Sequence, residues 1–404
     1  MFTKAMATAP WTLPSHASLF TGRPPTELSA GWVTALDRAA PTLAEALSAA
    51  GYRTGGFVAN YRYAGRSTGL ARGFQRYDDY PIRWDEALRM TSLARRALRF
   101  PRVQQWLGEH RVLEARVAAD VNDAFLDWVD AESAGPFFGF LNYVDAHSPY
   151  LPPAPFDSLW IKQEDRGQRS RRYTAAMDRA FGPGPMPADL VAEYLDGYDG
   201  AIRYLDGEIE RLLQELARRG LLDDTIVVLT SDHGEHFGEH HLIQHGNSLF
   251  LPLLHVPLVV VWPGHVPEGV RVTAPTSLRN VAATVLDLTG AANPGLQGRS
   301  LAARWKPEGD GFGTDTVFAA VDWHESLSRF PPSPLLAGSL RSVVLDSLHL
   351  VARADGSEAL FDPDRDFLER RNLAGLPAYQ AELGRLRAAL QAMTNGNPGP
   401  VPPK

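Results

Sequence analysis

The sequence predicts an α/β fold: a doubly wound, mostly parallel sheet flanked by helices, with a small α+β subdomain at its carboxyl end. Three observations predict it. Short apolar runs rich in β-branched residues recur along the chain, as at 225–230 and 257–261, the pattern of strands buried on both faces. Stretches of helical spacing alternate with them, the longest running over 191–213. From about Pro307 the alternation gives way to β segments joined by turn residues and one closing helix.

In chain order, the opening APWTLPSHASLFTG sets Thr12 between the turn formers Pro10 and Pro14, and residues 15–20 read as the start of a short helix. In PTLAEALSAAGY, Leu43, Ala46, Leu47 and Ala50 keep helical spacing and Gly51 ends it. A strand follows at 54–60. The arginine-rich stretch 83–116 reads as a solvated helical face or as a basic lid over an anionic substrate, the former favoured. A strand at 137–144 runs into Asp145 and His147, and the polar stretch 161–179 reads as an exposed excursion. Val191, Tyr194, Leu195, Tyr198, Ile202, Leu205, Ile209, Leu212 and Leu213 form one stripe of a long helix that Gly220 closes. The strand at 225–230 breaks off into Ser231, Asp232, His233 and Gly234, and the strand at 257–261 stops at Pro263-Gly264. In SLRSVVLDSLHLVARADGSEALFDPDRD two β segments meet at Asp355-Gly356, a hairpin signal. Leu383, Leu386 and Leu390 mark the last helix, and the tail GNPGPVPPK is expected to be disordered. The expected division is a catalytic domain over 1–306, a subdomain over 307–395 and a tail over 396–404.

Composition narrows the function. The chain has 404 residues, 44% hydrophobic and 22% charged, values of a globular protein. Its net charge of -7 gives no global basic footprint for nucleic acid. With no cysteine there is no disulfide, no thiolate nucleophile and no Cys-ligated zinc. No apolar run has the length of a transmembrane helix, and the opening residues show no signal-peptide pattern. That combination suggests the cytoplasm unless an upstream leader or anchor is lost.

Six of the twelve histidines fall between His233 and His255. Ligands in open α/β sheets sit past the carboxyl ends of strands, where Asp232 and His233 lie. A carboxylate beside an imidazole offers a divalent cation a hard oxygen and a borderline nitrogen. On spacing alone, Thr12 is more readily a helix N-cap than a nucleophile.

Taken together the segments resemble the sulfatase family of the alkaline phosphatase superfamily. APWTLPSHASLFTG looks like its nucleophile motif, NYVDAHSPYLPP like its active-site histidine loop, and YDGAIRYLDGEIERLL like the helix before the metal motif. SDHGEHFGEHHLIQHGNSLF with HVPLVVVWPG looks like its metal- and substrate-binding segment, and SEALFDPDRDFLERRNLAG like its close. The resemblance implies an alkaline phosphatase-like fold. It also implies that Thr12 is the nucleophile and shares the metal with Asp232 and His233. His147 contacts the substrate or leaving group. His245 takes a position often held by a lysine that grips the ester, and His16 that of an arginine supporting the nucleophile. One divalent cation is implied, Mn, Mg, Ca or Zn.

Two departures from the pattern shape the expectation. Sulfatases carry a cysteine or serine that is oxidised to formylglycine, whereas threonine is not so converted. Relatives that keep a threonine pass through a phosphothreonine, so the expected substrate is a small anionic phosphodiester or phosphonate more than a sulfate ester. The family also begins with a central strand ending in acidic metal ligands. Here no Asp or Glu precedes Glu27 and eleven residues precede Thr12. A truncated amino terminus is therefore expected, ahead of a degenerate, non-catalytic family member that binds an anionic ligand or a partner. Transfer of a phosphoryl-linked group to a lipid or glycan alcohol is a further alternative.

Overall fold

The computed structural model describes residues 1–79, 116–131, 135–159, 187–305, 316–325 and 333–401. The arginine-rich stretch up to residue 115 and the excursion at 161–179 lie outside these residues.

Two separate groups of strands make the α/β part. The first has the order β3 (Arg76–Asp78), β2 (Arg53–Val58), β4 (Phe137–Asn142), all parallel. The second has the order β5 (Val227–Thr230), β8 (His255–Val261), β1 (Phe2–Met6), β9 (Thr276–Ser277). Here β8 runs against both β5 and β1, while β1 and β9 are parallel. The sheet is thus mixed. The connection from β5 to β8 starts and ends at the same end of the sheet, so β8 has to return antiparallel. The two-stranded pair β6 (His236–Phe237) and β7 (Ile243–Gln244) lies within that connection.

Helices cover both groups. α1 (Thr12–Thr21) ends at Gly22, whose left-handed φ of 72 suits glycine. α2 (Leu43–Ala49) starts in a capping box, in which Thr42 Oγ1 accepts from Glu45 N and Glu45 accepts from Thr42 N. α3 (Ala118–Ala131) buries Val121, Phe125 and Trp128 against Phe57. α4 (Ala188–Arg218) is the long helix read from the stripe, with Gly220 one residue beyond its Arg219 cap. α5 (Val281–Thr289) packs Ala282 and Leu286 against Leu43 and Leu47.

The carboxyl-terminal part is an antiparallel sheet, β10 (Val317–Val321), β11 (Leu340–Leu345), β12 (Leu348–Arg353) and β13 (Glu358–Phe361), covered by α6 (Gln380–Thr394). The 340–361 stretch makes three strands rather than two. Leu345 pairs with Leu348 around Asp346, which takes φ 56, a left-handed conformation that Asp tolerates. The tail, expected to be disordered, is described to Val401, and its Pro400 carbonyl accepts from Ser339 N and Oγ.

Candidate active site

Thr12 opens α1. The N-cap is Trp11, in extended backbone and without a side-chain cap, so Thr12 is the first helical residue rather than the cap. Its hydroxyl lies in the positive potential of the helix start and is buried. One turn on, His16 is 5% exposed, not a surface residue, and its Nδ1 donates to the Thr12 carbonyl at 2.8 Å.

β5 ends at Thr230, and the next four residues are held tightly. Ser231 Oγ donates to His233 O, and His233 N donates to Asp232 Oδ1 at 3.1 Å. Ser15 Oγ donates to Asp232 O at 2.6 Å, tying α1 to this loop. Gly234 N donates to Leu253 O, and a Cβ on Gly234 would stand 2.1 Å from Pro252 O. Only glycine lets the loop approach that closely.

The side chains converge. Thr12 Oγ1 is 3.5 Å from His233 Nε2, which is 3.5 Å from Asp232 Oδ2. His16 Nδ1 is 3.6 Å from Asp232 Oδ2. The His245 ring stacks on His233 at 4.3 Å and meets His147 edge-on at 4.9 Å. His147 Nδ1 donates to Ser148 O at 2.7 Å. All six residues singled out from the sequence therefore meet in one place. Glu235 was missed: its Oε1 lies 2.9 Å from His245 Nδ1 and fixes that ring. His236, His240 and His241 stand apart. His236 bonds Ser248, His240 stacks on Phe250, and His241 is exposed.

Burial governs the electrostatics. It pushes the imidazole of His147 down, with repulsion from His245 adding to it. His233 is also lowered by burial, against the pull of Asp232, and His245 is lowered to about 4 for the same reason. Burial raises Glu235. Burial alone would raise Asp232 too, but the surrounding imidazoles of His233, His16, His245 and His147 bring it below the usual carboxylate range. Asp232 is thus held toward its ionised form, while burial holds the His147, His233 and His245 imidazoles toward their neutral form.

That donor set suits a cation in part. His233 Nδ1 donates to Gly234 O at 2.9 Å, which leaves Nε2 with its lone pair facing Asp232 and Thr12, the tautomer that ligates. Yet among the described residues no group of three or more His, Cys, Asp or Glu side chains is placed to hold a metal.

Comparison with known proteins sets this geometry in context. The family model "Sulfatase" matches residues 1–291. Choline-sulfatase of Rhizobium meliloti (strain 1021) is 27% identical over 271 residues, 64% of this chain and 50% of that protein. The multifunctional alkaline phosphatase superfamily protein PehA of Trinickia caryophylli is 26% identical over 334 residues, 68% of this chain and 61% of that protein. The chain thus spans about half the length of the curated relatives it matches. Phosphonate monoester hydrolase from Silicibacter pomeroyi superposes with a TM-score of 0.74 at 23% identity, covering 98% of this chain and 88% of that one. The phosphonate monoester hydrolase of Agrobacterium radiobacter gives 0.73 at 20% identity over the same shares.

Proposed function

Since this chain belongs to the sulfatase family, we propose that it is an ester hydrolase using Thr12 as nucleophile on a phosphodiester or phosphonate monoester. The observation that supports this most is the hydroxyl of Thr12 at the start of α1, 3.5 Å from His233 Nε2 and beside Asp232. Formylglycine chemistry has no cysteine to start from, and Thr12 stands in the nucleophile segment.

Asp232 and His233 would hold a divalent cation. When bound, it lowers the pKa of the Thr12 hydroxyl and offsets charge building on the nonbridging oxygens. The residues do the rest. Thr12 Oγ loses its proton to solvent and attacks phosphorus in line; the Oγ–P bond forms as the bond to the leaving oxygen breaks. His147, its Nδ1–H fixed on Ser148 O, takes a proton from solvent at Nε2 and passes it to the departing oxygen. Water then displaces Thr12 Oγ, which recovers a proton. His16 and His245 line the position of the ester oxygens. Because burial keeps His245 neutral, it binds as a hydrogen-bonding group until the anion's own charge draws a proton onto it.

A non-catalytic role in binding anions is the second reading, supported by the lack of a three-residue metal set among the described residues. Turnover of bis(p-nitrophenyl) phosphate, a phenyl phosphonate monoester and p-nitrophenyl sulfate with added Mn²⁺ separates the two. We expect the phosphorus esters to be preferred, and Thr12→Ala to lose on the order of a thousandfold or more in kcat with its fold intact. Full activity in that variant sinks the nucleophile assignment.

A further inference from the structure

The residue before Thr12 is a tryptophan at a position where helices favour Ser, Thr, Asp or Asn. Trp11 gives α1 no side-chain cap, so helix capping does not account for its indole. That ring lies 5.3 Å from the His245 ring, 4.4 Å from Trp32 and 4.9 Å from Tyr63. Trp11, Trp32 and Tyr63 thus form one aromatic wall beside the site. Each is half-buried, so part of the wall is open to solvent.

The wall is held in place. Trp11 Nε1 donates to Trp32 O at 3.3 Å, and Trp32 Nε1 donates to Asp322 O at 2.8 Å. Both indole N–H groups are taken up by the protein, which leaves ring surface to offer a ligand. Gly246, the residue after His245, lies against both indoles: a Cβ there would stand 2.8 Å from the Trp32 ring and 2.9 Å from the Trp11 ring. His245 and the wall are therefore built against each other. A fixed platform of this kind costs a ligand little ordering of the protein.

Its direction from His245 decides what it could bind. His233 stacks on His245, and His147 meets it edge-on. Among the described residues, the ring contacts of Trp11 are with His245, Trp32 and Tyr63, so it approaches His245 from a side that neither of those histidines occupies. In an in-line displacement the attacking and leaving oxygens lie at opposite ends, and the groups that stay on phosphorus lie between them. In the reaction proposed above His147 marks the leaving end, and His245 faces oxygens that stay. A substituent that reaches Trp11 past His245 is therefore one that stays on phosphorus.

We propose that Trp11, Trp32 and Tyr63 form a specificity subsite for a planar aromatic group retained on phosphorus. The substrate is then an aryl phosphonate monoester, or a phosphodiester whose retained arm carries an aromatic ring. This rests on the hydrolase reading and deepens it, because a phosphate monoester has no retained arm to place there. A planar ring stacks on, or meets edge-on, the open faces of the wall. A quaternary ammonium needs a cage of ring faces around it. Here Trp11 and Trp32 are closed on each other, and the Arg62 guanidinium already stands 5.4 Å from the Tyr63 ring centre, where it repels a second cation.

Calorimetric titration of the protein with phenylphosphonate, cyclohexylphosphonate and methylphosphonate, Mn²⁺ present, tests the subsite without turnover. We expect phenylphosphonate to bind about tenfold tighter than methylphosphonate, and tighter than cyclohexylphosphonate, which is apolar but not planar. Thr12→Ala is expected to keep the same order of preference. Trp32→Leu is expected to erase the phenyl preference, and Tyr63→Leu serves in its place if that variant does not fold. Equal affinity for the phenyl and cyclohexyl compounds, binding of none of the three, or a phenyl preference that survives in the folded variants overturns the proposal. Full activity of Thr12→Ala on an ester would sink the nucleophile reading and leave these affinities standing, so the two failures are told apart.

Discussion

Gly234 shows how one residue sets the site. Its missing side chain lets the loop lie against Pro252, where a Cβ would stand 2.1 Å from the carbonyl oxygen. The Asp232 and His233 side chains depend on that path, and Ser15 holds it from the other side. Gly234→Ala is expected to lower stability by about 1–3 kcal/mol, as overpacking does, and to lose turnover far more than that. Thermal melts and phosphodiester assays on the same sample check it; a variant with unchanged kcat shows that the loop has slack. Glu235 is the complementary case. Glu235→Gln keeps an acceptor for His245 Nδ1 but removes a carboxylate that burial raises. We expect a folded protein in which KM for the ester changes more than kcat, because in the proposed reaction His245 faces the ester oxygens rather than the leaving group. Asp232 and His233 were legible in the sequence because polarity changes abruptly where β5 ends. Glu235 was not, because its partner His245 is ten residues away and no local period joins them. Thr12 was legible only through family resemblance: a threonine before a helix is usually a cap, and the structure gives that place to Trp11.

At the scale of elements, helices read more clearly than strands. The stripe from Val191 to Leu213 fixed the position of α4, because its period is sustained over many turns. β1 escaped notice: FTKAM is five residues, without a β-branched run, and its place between β8 and β9 is set by partners far along the chain. The turn between β11 and β12 escaped because Asp346 takes the left-handed conformation without a glycine to announce it. The carboxyl end of α4 offers an electrostatic test. Arg219 donates to both carboxylate oxygens of Asp130 on α3 and pairs with Glu215 one turn back. Hydrogen bonds from Arg218 and Arg219 lower Glu215 to about 2, and Arg219 likewise lowers Asp130. A depressed carboxylate stabilises the fold above its unfolded pKa, near 4.5 for Glu215, and that contribution fades as pH falls toward 2. Both carboxylates are solvent-facing, so the effect is modest. Arg219→Gln is expected to flatten the decline of Tm between pH 4.5 and 2 relative to the parent protein; parallel curves would dismiss the staple. Thr42→Ala, which removes half of the capping box on α2, is expected to cost about 1 kcal/mol, read from denaturant midpoints.

For the whole molecule, the question is whether the change of pattern near residue 307 divides two folding units. The largest apolar cluster crosses it. Phe2, Leu258, Val260 and Leu278 from one side pack with Ala319, Val321, Leu340, Val351 and Phe361 from the other. A second cluster joins Met6 and Leu251 to Val317 and Val344. The backbone is tied as well, with Ala320 N donating to Thr8 O in the turn that leads to Thr12. Domains meet through small, rather polar interfaces when they are independent; this one is a shared core. Cutting the chain after 306 would bare Phe2, Leu258 and the underside of β1, the strand whose end positions Thr12. Calorimetry of the intact chain is therefore expected to show one transition for both parts. The fragment 1–306 is expected to be aggregated or molten, with no turnover even when metal is supplied. A fragment that stays monomeric and melts cooperatively near the temperature of the intact chain would mean that the antiparallel sheet is an appendage. The site would then rest on the α/β part alone, and the reach from β10 through Thr8 to Thr12 would have no part in holding Thr12.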